Sequence, residues 1–270
     1  YFNARRRLRE RLQMEQKEKL QQEEFHQAKM HLFTNFAHEL RTPLTLIITP
    51  FEELVKRMDM TMELRDKLMV IYKNAQRLLL LVNQLLDLQK NQSGTMELQV
   101  TENNVYEFVT EIYCAFNQIA QTNEITFTLD CRDREFQAWY DKVLLEKVVF
   151  NLLSNAFKYT PSGKDIRMLV ECIPAGELEE SYRKEVAPSA LYMMLQVVDA
   201  GCGIPLQERD KVFTPFYRVP ETAGVNVPGT GIGLSLTQSV VHLHQGAISV
   251  DSNRPKGSIF TIILPNNEQP

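Results

Sequence analysis

Between residues 4 and 92 the chain contains no glycine and only two prolines, Pro43 and Pro50. A stretch of that length without helix breakers folds as long helices. Residues 1–24 are mostly Arg, Glu, Gln and Lys, and Leu8 and Leu12 do not continue as a clean heptad seam, so this part reads as an exposed or coiled helical linker. From Phe25 apolar residues recur at helical spacings, through Phe33, Phe36, Leu40, Leu44, Ile47, Phe51 and Leu54 to Met58. After a polar break at Asp59–Glu63 a second amphipathic series runs from Leu64 through Leu68, Ile71, Ala75, Leu78, Val82 and Leu86 and ends near Ser93-Gly94. Two such helices form a hairpin whose wide apolar stripes it cannot cover alone. A four-helix bundle built by two chains, a homodimer, is the expected solution.

Beyond Gly94 the pattern is mixed. Strands are expected at 95–101, 124–131, Phe136–Tyr140, Ile166–Ile173, Leu191–Val198, Ala247–Val250 and Ser258–Leu264, and helices at Val105–Gln121, Lys142–Tyr159 and Gly233–His244. A polar, Glu-rich insertion before Leu191 reads as a hairpin extension. Strands and helices in blocks predict an α+β domain with its helices on one sheet face. The expected organisation is therefore multi-domain: a linker at 1–24, an all-α hairpin at 25–94 and an α+β domain at 95–270.

Composition supports folded domains and narrows the partners. Of 270 residues 44% are hydrophobic and 24% charged, which excludes a disordered or linker-dominated chain. A net charge of −4 gives no electrostatic case for direct nucleic-acid binding. Cys114, Cys131, Cys172 and Cys202 are too far apart for a C-x-x-C site or a dense disulfide framework, and fit a reducing compartment. No apolar run reaches the ~18 residues of a membrane span. Yet the basic run Arg5-Arg6-Arg7-Leu8-Arg9-Glu10-Arg11 after Tyr1-Phe2 resembles the inner flank of one, so the expectation is the cytoplasmic portion of a protein anchored in an inner membrane.

Four motifs carry chemistry. Phe36-Ala37-His38-Glu39-Leu40-Arg41-Thr42-Pro43-Leu44 interrupts the apolar face of the first helix with a polar quartet. A neutral imidazole is a nucleophile near pH 7, the next carboxylate can take or hold its ring proton, and Pro43 bends the helix there. Asn151 and Asn155, four apart, share one helix face with Lys158 close behind. Amide oxygens suit Mg²⁺ beside phosphate, and lysine supplies charge to phosphate. Asp199-Ala200-Gly201-Cys202-Gly203 follows an apolar strand, where a buried carboxylate can accept from an exocyclic amine. Gly229-Thr230-Gly231-Ile232-Gly233-Leu234 opens a helix and offers backbone N–H groups to phosphate. It is neither a Walker A loop nor a dinucleotide fingerprint. His242 and His244, two apart, point to different helix faces and make a poor chelating pair.

In this order the motifs resemble the H, N, G1 and G2 boxes of a sensor histidine kinase. Val212-Phe213-Thr214-Pro215-Phe216-Tyr217-Arg218 is similar to the F box, and Gly257-Ser258-Ile259-Phe260 to the last glycine box. The resemblance covers residues 25 to 265 and is closest to the kinase part of hybrid two-component sensors. It implies a dimerisation and histidine-phosphotransfer hairpin followed by a Bergerat-type α+β sandwich that binds ATP. His38 would accept the γ-phosphoryl group with Glu39 as general base, and Thr42 would position water when the kinase dephosphorylates its regulator. Asn155 would coordinate Mg²⁺, Asn151 would support the metal's water shell, and Lys158 and Tyr159 would approach phosphate or ribose. Asp199 would receive the adenine amino group in a pocket shaped by Gly201 and Gly203. Residues from Val219 to Pro228 would form a mobile lid, Gly229, Gly231 and Gly233 would accommodate the phosphates, and Arg218 would stabilise charge on the transferring group. The implied partners are a second copy and a response-regulator receiver domain, in cis or in trans. Ala200 departs from the usual Asn or Thr, which implies weaker nucleotide affinity rather than lost activity. Two alternatives stand beside this reading. A GHKL-type ATPase machine is disfavoured because Asn151 occupies the place of its water-activating Glu. A silent nucleotide-binding scaffold is opposed by the intact His38, Glu39, Asn155 and Arg218.

Overall fold

The computed structural model describes residue 40 and residues 44–45, 47–50, 62–92, 96–220 and 229–268, and its contacts separate two units, Tyr1–Thr95 and Met96–Pro270. The linker expected at 1–24, with its basic run, lies outside the described residues, as do most of the first helix and the turn up to residue 61. Among the described residues no helix is long and apolar enough to cross a membrane.

In the first unit helix α1 (Met62–Gln92) carries the second apolar series. Val82 and Leu86 are buried, and Leu44 packs against them, the helix–helix contact of the expected hairpin. Leu64, Ile71 and Leu78 follow one another at seven-residue intervals and stay 48%, 48% and 50% exposed.

The second unit is a five-stranded sheet with helices on one face. Its elements are β1 (Thr101–Asn104), α2 (Val105–Thr122), β2 (Thr126–Cys131), β3 (Gln137–Tyr140), α3 (Lys142–Tyr159), β4 (Asp165–Pro174), α4 (Glu180–Arg183), β5 (Leu191–Asp199), α5 (Gly233–Leu243), β6 (Ala247–Ser252) and β7 (Ser258–Pro265). The sheet order is β2-β4-β5-β7-β6, with β2 and β4 parallel and the other neighbours antiparallel, while β1 and β3 form a separate antiparallel pair. Buried Leu145, Val149, Leu152 and Leu153 of α3 and Val109 and Ile112 of α2 share one core with Met168, Leu195, Val197 and Ile262 of the sheet. Each such aliphatic side chain contributes about 1.5–3 kcal/mol.

One strand expectation fails in register. Residues 96–100 alternate in burial and Met96 and Leu98 pack on the core, but their backbone joins no ladder, and pairing begins only at Thr101 against Tyr140. Apolar alternation reports which side chains are buried, not which backbone is paired. The Gln99 N–H is instead donated to Asp141 Oδ2 at 2.9 Å.

Asp141 is an organising residue. Its Oδ1 caps α3 by accepting the Leu144 N–H at 3.0 Å, and its own N–H is donated to His244 Nε2 at 3.1 Å. With Nε2 accepting, His244 is neutral and gives its Nδ1–H to the Val240 carbonyl, 2.8 Å away. Burial pushes its pKa below the ordinary 6.5, partly offset by the Val240 bond and the Asp141 charge. The unfolded chain therefore takes a proton near pH 6.5 that the folded chain refuses, and stability falls as pH drops through that value. The urea midpoint is expected to decrease between pH 7.5 and 5.5, and to decrease less in His244→Gln, as followed by circular dichroism.

The Glu-rich insertion folds onto the sheet face opposite the helices. Leu178 and Val186 are buried there with Tyr192, Ala247 and Ile263. The Tyr182 and Ser249 hydroxyls share a hydrogen bond of 2.5 Å, and Arg183 donates to the carbonyls of Ala175 and Leu178 at 3.0 Å each. The hairpin extension thus covers one half of the second face.

Candidate functional site

Helix α3 aligns the first group of predicted residues. Asn151 and Asn155 lie half-buried on one face, with Lys158 and Tyr159 in the last turn. Asn151 Nδ2 donates to Thr237 Oγ1 of α5 at 2.9 Å. A Cβ at Gly233, the first residue of α5, would stand 2.1 Å from Asn151 Oδ1, so only glycine lets the two helices meet here. Farther along, Lys158 Nζ lies 4.9 Å from the centre of the Tyr159 ring and 2.7 Å from where a Cβ on Gly229 would be. The glycine-rich motif therefore runs along the face of α3 that carries the predicted phosphate and metal groups.

The end of β5 supplies the second group. Asp199 is only 5% exposed; its Oδ1 accepts the N–H of Gly201 at 2.8 Å and of Ser258 at 3.2 Å. Burial pushes its carboxyl above the usual carboxylate range, while these N–H groups and the Ser258 hydroxyl pull it back. The Asp199 carbonyl accepts from Asn253 Nδ2 at 2.8 Å, and the Gly201 backbone sits against the Tyr159 carbonyl. The turn carrying Gly201 and Gly203 is thereby joined to the end of α3.

The F-box stretch closes a third side. The Phe216 N–H is donated to the Gly231 carbonyl at 2.8 Å, and both residues have positive φ, 65° and 71°. A Cβ on Gly231 would fall 2.6 Å from the Phe216 carbonyl carbon, so the glycine is sterically required. Arg218 is exposed; burial pushes the Tyr159 phenol up and the Arg218 charge pulls it back. The Tyr217 hydroxyl is hydrogen-bonded to the Glu208 carboxylate.

The structure thus gathers Asn151, Asn155, Lys158, Tyr159, Asp199, Gly201, Gly203, Arg218, Gly229, Gly231 and Gly233 within one unit. His38, Glu39 and Thr42 lie outside the described residues, as do residues 221–228 of the lid expected from Val219 to Pro228; Val219 itself is buried in the core. Thr237, which holds Asn151, and Ser258 and Asn253, which hold Asp199, had not been expected at the site. The glycine box gave a signal for Ser258, but its bond to Asp199 depends on the β5–β7 pairing, a long-range register.

Two family models match this chain: residues 28–94 match the His Kinase A (phospho-acceptor) domain, and residues 140–268 the histidine kinase-, DNA gyrase B-, and HSP90-like ATPase. The chain belongs to the sensor histidine kinases. Within that family it is 33% identical over 271 residues to histidine kinase P4 of Formosa agariphila, covering 98% of this chain and 18% of the relative. It is 31% identical over 242 residues to hybrid signal transduction histidine kinase D of Dictyostelium discoideum, covering 90% of this chain and 15% of that one. This kinase chain therefore spans less than a fifth of the length of either relative. Full-length ShkA in complex with AMPPNP shares its fold with a TM-score of 0.67 at 19% identity, over 87% of this chain and 45% of that one. The Acinetobacter baumannii histidine kinase AdeS does so at 0.55 and 23%, over 85% and 98%.

Proposed function

We propose that the chain transfers the γ-phosphoryl group of Mg-ATP to His38 and passes it to an aspartate of a response-regulator receiver domain, in cis or in trans. The supporting observation is the convergence just described: paired carboxamides and a lysine laid against a glycine-rich helix start, beside a buried carboxylate at a strand end. The α5 N-terminus and the Gly229–Gly233 backbone offer N–H groups to phosphate oxygens, with Lys158 adding charge. Asp199, fixed through Oδ1, accepts from the adenine amine. Asn155 presents a hard oxygen suited to Mg²⁺, which when bound neutralises phosphate charge. Asn151, held by Thr237, orients the metal's waters. In the transfer His38 nitrogen forms the new P–N bond, the bond to the ADP oxygen breaks, Glu39 takes the ring proton, and Arg218 offsets charge on the moving group.

Incubation with γ-labelled ATP and Mg²⁺ tests this. A kinase retains label that is labile in acid and stable in alkali. Phosphate release without label would instead reveal an ATPase machine, and neither would reveal a scaffold.

Two further parts belong to the proposal. Thr42 positions the water that hydrolyses the phosphorylated regulator, so Thr42→Ala is expected to leave autophosphorylation within about twofold and slow regulator dephosphorylation about tenfold or more; both rates are read with labelled regulator. The exposed Leu64, Ile71 and Leu78 stripe of α1 is the seam of a homodimer, since a seven-residue apolar repeat is covered by another helix in a bundle. Ile71→Glu is expected to turn a sedimenting dimer into a monomer at micromolar concentration. Anchoring of the full protein in a membrane rests on the sequence of residues 1–11 alone.

A further inference from the structure

The half of the second sheet face that the insertion leaves open is a groove of about 1610 Å³. Small-molecule pockets run to roughly 300–1,000 Å³, so this one is larger than a typical small-molecule pocket. Val198 and Ile259 form part of its floor. Each is next in sequence to Asp199 or Ser258, and strand alternation turns them away from the face on which Asp199 and Ser258 meet. The floor thus lies behind the nucleotide-binding strand end, and the groove also takes in the turn and supports of the site, from Lys158 and Tyr159 through Ala200–Gly203 to Asn253 and Gly257.

Its walls are basic. Lys164 and Arg167 stand at the start of β4 and Arg254 and Lys256 in the β6–β7 loop, against one lining carboxylate, Asp165. All four cations are exposed, and none forms a salt bridge among the described residues, whereas Arg209, Lys142, Lys184 and Lys211 each pair with a carboxylate. In a chain of net charge −4 this is a local field of opposite sign. Separately, Thr160 lines the groove, and its Oγ1 is buried without a hydrogen-bond partner. The floor is aliphatic, with Ile204 and Pro205 beside Val198 and Ile259, and Tyr159 is the only aromatic lining residue, which offers little to a stacked base. β2, which brings Thr126 and Thr128 to the groove, is a terminal strand of the sheet.

We infer that this groove docks an extended acidic peptide segment of a partner protein, its carboxylates held by Lys164, Arg167, Arg254 and Lys256 and its aliphatic side chains on the Val198–Ile259 floor. Charge complementarity sets the choice of partner and the floor adds apolar burial. The inference stands apart from the kinase reading, because the four cations and the Val198–Ile259 floor are not among the residues proposed to hold ATP.

The probe is a fluorescein-labelled peptide of about twelve residues alternating Glu with Leu and Val, read by anisotropy against the whole chain, with and without ATP. Saturable binding is expected, weakened about tenfold or more by the pair Arg167→Glu and Lys256→Glu and by about half as much on a logarithmic scale by Arg167→Gln alone, with ATP affinity and thermal midpoint within experimental error of the parent. A Lys-for-Glu version of the peptide is expected not to bind. Equal binding by the charge-reversed chain, displacement of the peptide by ATP, or no peptide binding where phosphatidylserine vesicles bind through the same two residues would each overturn the inference.

Discussion

Asp199→Asn is expected to weaken ATP binding by about 100-fold while leaving the second unit folded. Asparagine retains a carbonyl oxygen for the Gly201 and Ser258 N–H groups, and the Ser258 hydroxyl, already engaged with the carboxyl, can accept from the new amide. Burial raises the pKa of Asp199, so ionisation of the native carboxyl costs folding energy at neutral pH, and a neutral amide removes that cost. The thermal midpoint at pH 7 is therefore expected to be equal or higher. Toward adenine the change has the opposite effect, because an amide N–H₂ meets the donor amine. Loss of a charge-assisted hydrogen bond together with two apposed donors costs about 3 kcal/mol, which corresponds to the stated factor. Calorimetric titration with ATP checks it, and an affinity within threefold of the parent would remove Asp199 from adenine recognition.

His38→Ala is expected to abolish retention of γ-label while ATP affinity stays within about twofold. The separation follows from the layout: every residue proposed to touch the nucleotide, from Asn151 to Gly233, belongs to the Met96–Pro270 unit, and His38 belongs to the other. Alanine removes the only nitrogen able to form the P–N bond at that position and leaves the binding groups untouched. Residual acid-labile label in the variant would show that another histidine is the acceptor. His244 is a poor substitute on physical grounds, being 3% exposed with both ring nitrogens engaged.

Much of this was legible in the residues. The helix of α3 runs over Lys142–Tyr159 as its apolar spacing predicts, because Asp141 caps it and Thr160 ends it, both local effects. The order of the four motifs gave the family, since each motif is a short run whose chemistry does not need the fold to be known. What the residues did not disclose is long-range. The pairing of Ser258 with Asp199 and of Thr237 with Asn151 spans 59 and 86 positions. The expected strand at 95–101 fails over 96–100 because Met96 and Leu98 bury like strand residues, while the Gln99 N–H goes to a side chain. The basic groove could not be seen either, because Arg167 and Lys256 come to line one groove only through the sheet order.

The excursion between β4 and β5 has one more effect. By laying Leu178 and Val186 on Tyr192, Ala247 and Ile263, the chain seals the greasier end of its own outer surface from within. Lengthening or trimming this single hairpin would redraw the boundary between what the molecule hides and what it shows to its surroundings, without touching a residue that handles phosphate.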